Sequence, residues 1–282
     1  MKRTLPTLLL TVVAILAFSQ ESEFGLNPSR EYAITPEDYD LKYEIIKIMT
    51  EDSLELHGWM FFPDEKSYKI MILSDDGNGN MADLIEHVGV FLSLGFNVLT
   101  YDYRGYGKSQ DFDVNKLFYI SHYFERDLNA AIDFVENEYT YITKLHLYGQ
   151  GIGAGLSISV GANKDAGIII ADSPYTSFEE IRKRILEIKG DDLKMPLVYD
   201  KNKLEPKYAL ELKYLALRGL LIIVGENDEI YTEKYLKDLS KMKKDKTELW
   251  EVDGANRKNT YTIDKEAYYN AVKEFLEEHP FN

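Results

Sequence analysis

Gly149-Gln150-Gly151-Ile152-Gly153-Ala154 ends a short apolar run and opens straight into a helical stretch, a context that presents backbone N–H groups at a helix start. Taken alone it satisfies G-x-G-x-x-[GA], and Asp172, about 20 residues on, stands where a dinucleotide fingerprint asks for its ribose-binding acid. That fingerprint normally opens its fold, whereas several strand-like runs come first here. Asp75, Asp76 and Asp228 offer a second chemistry, since hard cations such as Ca²⁺ take clustered carboxylates. Their spacing fits no known loop, and solvated acidic loops are the plainer account, so neither a metal nor a cofactor is expected. Ser74, Ser109 and Ser173 fall near strand ends, but a hydroxyl nucleophile needs a base beside it. The five histidines, His57, His87, His122, His146 and His279, read as surface or strand-packing residues. There is no cysteine, which excludes a thiol nucleophile, thiolate metal sites, disulfides and a lipid-modified cysteine.

The elements that must position these groups alternate. Leu41–Met49 and Leu54–Phe62 read as two strands joined by the turn Glu51-Asp52-Ser53. From Tyr68 onward, short apolar runs alternate with helical stretches, the mark of βαβ units and a parallel sheet. Buried strands are predicted at Lys69–Leu73, Asn97–Tyr101, Lys144–Tyr148, Gly167–Ala171, Leu220–Val224 and Glu248–Val252. Helices are predicted at Met81–Leu94, Tyr119–Glu138, Ile152–Ala162, Thr232–Met242 and Ile263–Glu278. The charged stretch Ser177–Arg218 is expected to cap the carboxyl edge of the sheet, where open α/β sheets bind ligands. Residues 40–282 thus read as one domain behind a lead-in over 20–39.

Three segments in this order resemble the α/β-hydrolase superfamily, in particular its serine-aminopeptidase-like and small esterase branch. Tyr101-Asp102-Tyr103-Arg104-Gly105-Tyr106-Gly107-Lys108-Ser109 is similar to its D-Y-R-G-Y-G-x-S loop. Asp172-Ser173-Pro174-Tyr175-Thr176-Ser177 is similar to its S-P-[FY]-T-S turn, and Gly225-Glu226-Asn227-Asp228-Glu229-Ile230 to its G-x-x-D-x-[IV] turn. The resemblance spans residues 40–280 and implies an α/β fold with a mostly parallel central sheet flanked by helices. It places the triad acid at Asp228. The nucleophile elbow G-x-S-x-G becomes Gly149-Gln150-Gly151-Ile152-Gly153, so the nucleophile position is Gly151, which has no atom to form an acyl-enzyme. The turn that carries the family's histidine reads Gly254-Ala255-Asn256-Arg257-Lys258-Asn259. Arg257 takes the histidine position, sliding by one gives Asn256 or Lys258, and arginine cannot act as a base.

The family's H-G-N-[AG]-G-N oxyanion loop becomes Asp76-Gly77-Asn78-Gly79-Asn80. Backbone N–H groups of Asn78 and Ile152 are the expected oxyanion-hole positions, with Asp76 beside them opposing any developing negative charge. Asp228 is expected to keep its turn, with an Asp228–Arg257 ion pair as the alternative. Glycine at position 151 also has a backbone rationale, because the elbow conformation costs other residues about 1–3 kcal/mol.

Lys2-Arg3, the apolar run Leu8–Phe18 and the polar Ser19-Gln20-Glu21 read as a signal peptide over residues 1–19, cleaved before Gln20. The run is shorter than the roughly 20 residues of a spanning helix. A formal charge of -15 argues against nucleic acid and anionic lipid as partners. The expectation is an exported, periplasmic or secreted pseudoenzyme that binds a small molecule or a protein through a pocket at Asp76, Gly151 and Arg257. An active serine hydrolase with a displaced nucleophile, and dinucleotide binding at Gly149–Ala154, are the alternatives.

Overall fold

The computed structural model describes residues 23–164, 166–212 and 216–280. The expected signal segment and its cleavage point lie outside them. Among the described residues eight strands form one sheet: β1 Tyr43–Met49, β2 Glu55–Phe61, β3 Lys69–Ser74, β4 Asn97–Tyr101, β5 Lys144–Gln150, β6 Ile168–Asp172, β7 Gly219–Gly225 and β8 Thr247–Val252. Their spatial order is β1-β2-β4-β3-β5-β6-β7-β8. The β1–β2 and β2–β4 pairs are antiparallel and the remaining neighbours are parallel.

Parallel strands covered on both faces must be apolar on both. Ile70 and Ile72 of β3 pack with Leu128 and Ile132 of helix α2 (Phe124–Glu138) and Leu156 of α3 (Ile152–Asn163). Met71 and Leu73, pointing the other way, meet Val88 and Phe91 of α1 (Ile85–Ser93). All four strand residues are wholly buried, each side chain contributing about 1.5–3 kcal/mol of burial free energy. Every residue of α3 from Ile152 to Ala162 is buried. Its small residues permit this. A Cβ on Gly153 would stand 2.3 Å from the Ser74 carbonyl oxygen, and one on Gly149 2.2 Å from that of Gly153.

Two departures bear on the site. Helix α2 begins at Phe124 rather than Tyr119, because the Tyr119 N–H donates to the Lys194 carbonyl oxygen at 3.0 Å and leaves the helical path. The Ser177–Arg218 stretch forms α4 (Phe178–Lys189), α5 (Lys201–Leu204) and α6 (Pro206–Leu210), of which only α4 borders the carboxyl edge of the sheet, Arg184 donating to the Ile230 and Glu229 carbonyls in the loop after β7. Its apolar residues Leu204 and Leu210 are buried, α5 and α6 pack against α3, and Tyr175 Oη donates to the Leu204 carbonyl at 2.5 Å. Burial of those leucines draws α5 and α6 onto the flank of α3.

Helix α7 (Glu233–Lys241) and helix α8 (Lys265–Glu278) complete the layers. Ahead of the sheet, Asn27–Pro28 pairs in parallel with Asn78–Gly79, which fastens the lead-in to the loop after β3.

Candidate functional site

Strand β5 passes into α3 through Gly151, whose φ of +52° and ψ of −115° belong to a region that side chains with a Cβ rarely adopt. The turn is fixed from both sides. Gly151 N donates to the Asp172 carbonyl oxygen at 2.9 Å, and Gly155 N donates to the Gly151 carbonyl at 3.3 Å. A Cβ on Gly151 would lie 3.1 Å from Asp76 Cβ, so Asp76 occupies the ground that a longer side chain would need.

Above Gly151 lies a cavity of about 220 Å³ whose wall includes Asp76, Asn78, Ile152 and Arg257. The expected positions therefore converge on one place. No described residue of the Ser177–Arg218 stretch lines it; the lead-in residues Glu23, Phe24 and Gly25 do. A larger depression of about 430 Å³ lies elsewhere, beside Glu51, Glu125, Arg126 and Lys164, and none of these turns reaches it.

Asp228 follows β7 and is spent entirely on main chain. Its Oδ1 accepts the N–H groups of Ile230 and Tyr231, each at 2.8 Å, and its Oδ2 accepts the Arg257 N–H at 3.0 Å. The retained turn is what the structure shows. The alternative Asp228–Arg257 ion pair is not formed: the guanidinium reaches Glu23 Oε1 at 2.8 Å and lies over the Phe24 ring, 4.1 Å from its centroid. Lys258 Nζ joins the same Glu23 oxygen at 3.2 Å. Glu23 thus holds both cations, while Asp228 is engaged by three backbone donors.

The oxyanion loop differs from expectation in a similar way. Asn78 N–H donates to Asp76 Oδ1 and Gly77 N–H to Asp75 Oδ1, each at 2.8 Å. These are Asx turns, in which a carboxylate takes the donor two residues on. The Asn78 N–H is thus consumed within its own loop, while Ile152 lines the cavity at the start of α3. Partial desolvation raises the Asp76 carboxyl, against the pull of the Asn78 N–H and of the Arg257 and Lys258 charges, while the side chain still meets solvent. Asp75, wholly enclosed beside it, is driven well above the usual carboxylate range by burial and by the Asp76 charge.

The carboxylates that the cation and dinucleotide alternatives would use are engaged in the chain's own hydrogen bonds. Asp75, Asp76 and Asp228 each hold backbone donors, and among the described residues no group of three or more acidic, histidine or cysteine side chains is placed to hold a metal. Asp172 is buried at the end of β6, where it accepts hydrogen bonds from Thr260 Oγ1 at 2.5 Å and Ser173 Oγ at 3.0 Å, out of reach of a ribose. The close approach of Gly149, Gly153 and Ser74 accounts for the glycine pattern.

No histidine is found on the cavity wall. His87, buried in α1 with Nε2 3.4 Å from Gln150 Nε2, is pushed down to about 4 by burial, and burial takes His146 down to about 3. Ser74 Oγ bonds Tyr101 Oη at 2.9 Å and Ser109 Oγ donates to the Asp102 carbonyl at 2.7 Å, both away from the cavity. Ser173 does line it, with a left-handed φ of +56°.

Sequence reasoning missed Glu23, Phe24, Tyr119 and Tyr231. The two tyrosines share a hydrogen bond between hydroxyls at 3.0 Å on the cavity wall. Tyr231 follows the Asp228 turn directly and was within reach of the motif; Glu23 sits in a lead-in with no periodic signal at all.

No family model matches the sequence. The chain is similar to the protein bem46 of Schizosaccharomyces pombe, at 23% identity over 269 residues, covering 90% of this chain and 83% of that one. It is similar to the uncharacterized protein YqkD of Bacillus subtilis, at 25% identity with 70% and 68% covered. Among solved structures, the esterase Pf2001 of Pyrococcus furiosus superposes with a TM-score of 0.70 at 23% identity, covering 90% of this chain and 99% of that one. The α/β hydrolase GrgF of Penicillium sp. sh18 gives 0.61 at 20% identity, with 85% and 99% covered. What these likenesses establish is the fold.

Proposed function

From the α/β-hydrolase fold of this chain, we propose that the protein is an exported, non-catalytic member of that architecture that works by binding a ligand or a partner at the cavity over Gly151. The observation that carries this reading is Gly151 itself. The elbow keeps the backbone conformation that serves a nucleophile, yet it presents no heteroatom, and Asp76 stands against the place one would fill. Removal of one triad member leaves some rate over water. Here nucleophile and imidazole are both absent, the Asn78 donor is spent, and a carboxylate sits in the site. Export rests on the sequence of residues 1–19 alone, and sequencing of the mature amino terminus tests it, with Gln20 expected first.

A fluorophosphonate probe and a panel of short p-nitrophenyl esters test the catalytic side, with neither labelling nor turnover expected. Gly151→Ser with Arg257→His restores the two missing groups, and Asp76→Gly must accompany them because of the 3.1 Å approach. Activity in that triple variant and none in the parent supports the reading. Labelling of the parent that a single Ser→Ala change abolishes ends it.

A second reading has one observation in its favour. Ser173 is a cavity-wall hydroxyl in a strained conformation, bonded to a buried carboxylate, as a displaced nucleophile would be. It is only 2% exposed and has no imidazole beside it. Ser173→Ala is therefore the control to run with the probe.

A further inference from the structure

We infer that the cavity over Gly151 is a receptor site for a small zwitterion, a free α-amino acid or a dipeptide, held by its carboxylate on Arg257 and Lys258 and by its ammonium on Asp76. The inference rests on the reading of the cavity as a binding site and names the ligand that site takes.

The carboxylate half is already occupied by a stand-in. Glu23 places one carboxylate oxygen 2.8 Å from Arg257 Nη2 and 3.2 Å from Lys258 Nζ, the arrangement a ligand carboxylate would take. Arg257 is pre-positioned for this. Its main chain is tethered to Asp228, its guanidinium is stacked on Phe24, and its side chain is 20% exposed, whereas that of Glu23 is 51% exposed. Glu23 can therefore swing into solvent while the lead-in stays in place, held by Leu26 N on the Phe118 carbonyl and Asn27 N on the Gly77 carbonyl.

The ammonium half is Asp76. Its Oδ1 accepts the Asn78 N–H, and its Oδ2 takes no hydrogen bond from the described residues. Tyr231 lines the same space and feels both Asp76 and Arg257, so the two charges address one volume rather than separate surfaces.

The pairing logic selects for both ends of the ligand at once. A ligand bearing a single charge meets only one of Asp76 and the Arg257–Lys258 pair, so a zwitterion gains a second charge-assisted contact that its single-charge analogues lack. A volume of about 220 Å³ accepts an amino acid or a dipeptide and excludes a folded chain.

The test is isothermal titration of the whole protein with L-leucine, with 4-methylpentanoate (the same skeleton without the ammonium) and with 3-methylbutylamine (without the carboxylate). The other common amino acids and glycyl-leucine follow. At least one zwitterion is expected to bind, with its single-charge analogues weaker by about tenfold or more. Asp76→Asn should bring the zwitterion down to the level of its carboxylate analogue. Glu23→Gln should tighten binding by about tenfold, because it removes a tethered competitor. Unchanged melting of both variants shows that they are folded. Binding of none of these compounds at about 10 mM, equal binding of a zwitterion and its analogues, or indifference to Asp76→Asn overturns the inference. The reading beneath it fails differently. Fluorophosphonate labelling or ester turnover by the same preparation contradicts a non-catalytic role and leaves the binding isotherms standing.

Discussion

The Asp228 carboxylate holds Arg257 by its main-chain N–H at 3.0 Å, while the guanidinium of the same arginine turns away to Glu23. The tie between the acid turn and the neighbouring loop is thus made through backbone and does not depend on which side chain the loop carries. Asp228→Ala strips three N–H groups of their acceptor. Each buried donor left unmatched costs about 1–3 kcal/mol, so a loss of about 2–4 kcal/mol is expected once water reaches part of the turn. Urea unfolding with an unchanged m-value measures it. Asp228→Asn retains one acceptor oxygen and should lose less.

Gly151→Ser forces a side chain into φ +52° and against Asp76. The expected loss is about 1–3 kcal/mol, read as a lower melting temperature. Adding Asp76→Gly should recover the contact portion and leave the backbone portion. A Gly151→Ser protein that melts with its parent refutes the strain account.

Arg104 is 1% exposed and donates to Asp127 through Nε and Nη2 and to Asp52 through both terminal nitrogens. Arg104→Ala leaves the wholly buried Asp127 without its counter-ion and should cost about 3–5 kcal/mol in chemical denaturation. Arg104→Lys cannot reproduce the forked geometry and should fall between the two. If Arg104→Ala is neutral, the network does not contribute to stability.

Burial pushes the Asp172 carboxyl up to about 7, against the hydrogen bonds from Thr260, Ser173 and Tyr268. A carboxyl raised on folding is protonated in the native state and ionised in the unfolded one between about pH 4 and about pH 7. The native state then binds the extra proton, and stability from this group falls as pH rises through that window and is level above it. Buried His87 and His146, driven down to about 4 and about 3, act in the opposite sense below about pH 6.5. The readout is therefore a difference. The parent should lose stability relative to Asp172→Asn from about pH 4 to about pH 7, and the gap should be constant at higher pH. A gap that does not change with pH sinks the assignment.

The sheet was legible because β3 to β7 obey one rule: strands covered on both faces are short apolar runs, and turns rich in glycine or aspartate separate them; β8, expected to be buried, is instead a largely exposed edge strand. Predicted strands at Lys69–Leu73 and Asn97–Tyr101 match β3 and β4 to within a residue. The elbow was legible through Gly149 and Gly153, where backbone leaves no room for a Cβ, and through Gly151, whose positive φ favours glycine. What could not be read were relationships in which one group diverts another. Tyr119 leaves its helical path for the Lys194 carbonyl, the Asn78 N–H is captured by Asp76, and the Arg257 guanidinium is claimed by Glu23. The place of α5 and α6 could not be read either, because the few leucines that decide it are isolated in sequence and pack on α3.

Glu23 and Arg257 are 234 positions apart along the chain, and their contact puts the start of the lead-in at the rim of the cavity. An affinity handle fused on the amino-terminal side of Glu23 is therefore expected to crowd that opening. An affinity handle attached after α8 avoids the obstruction, and comparing the two placements exposes any ligand response that a handle at the front conceals.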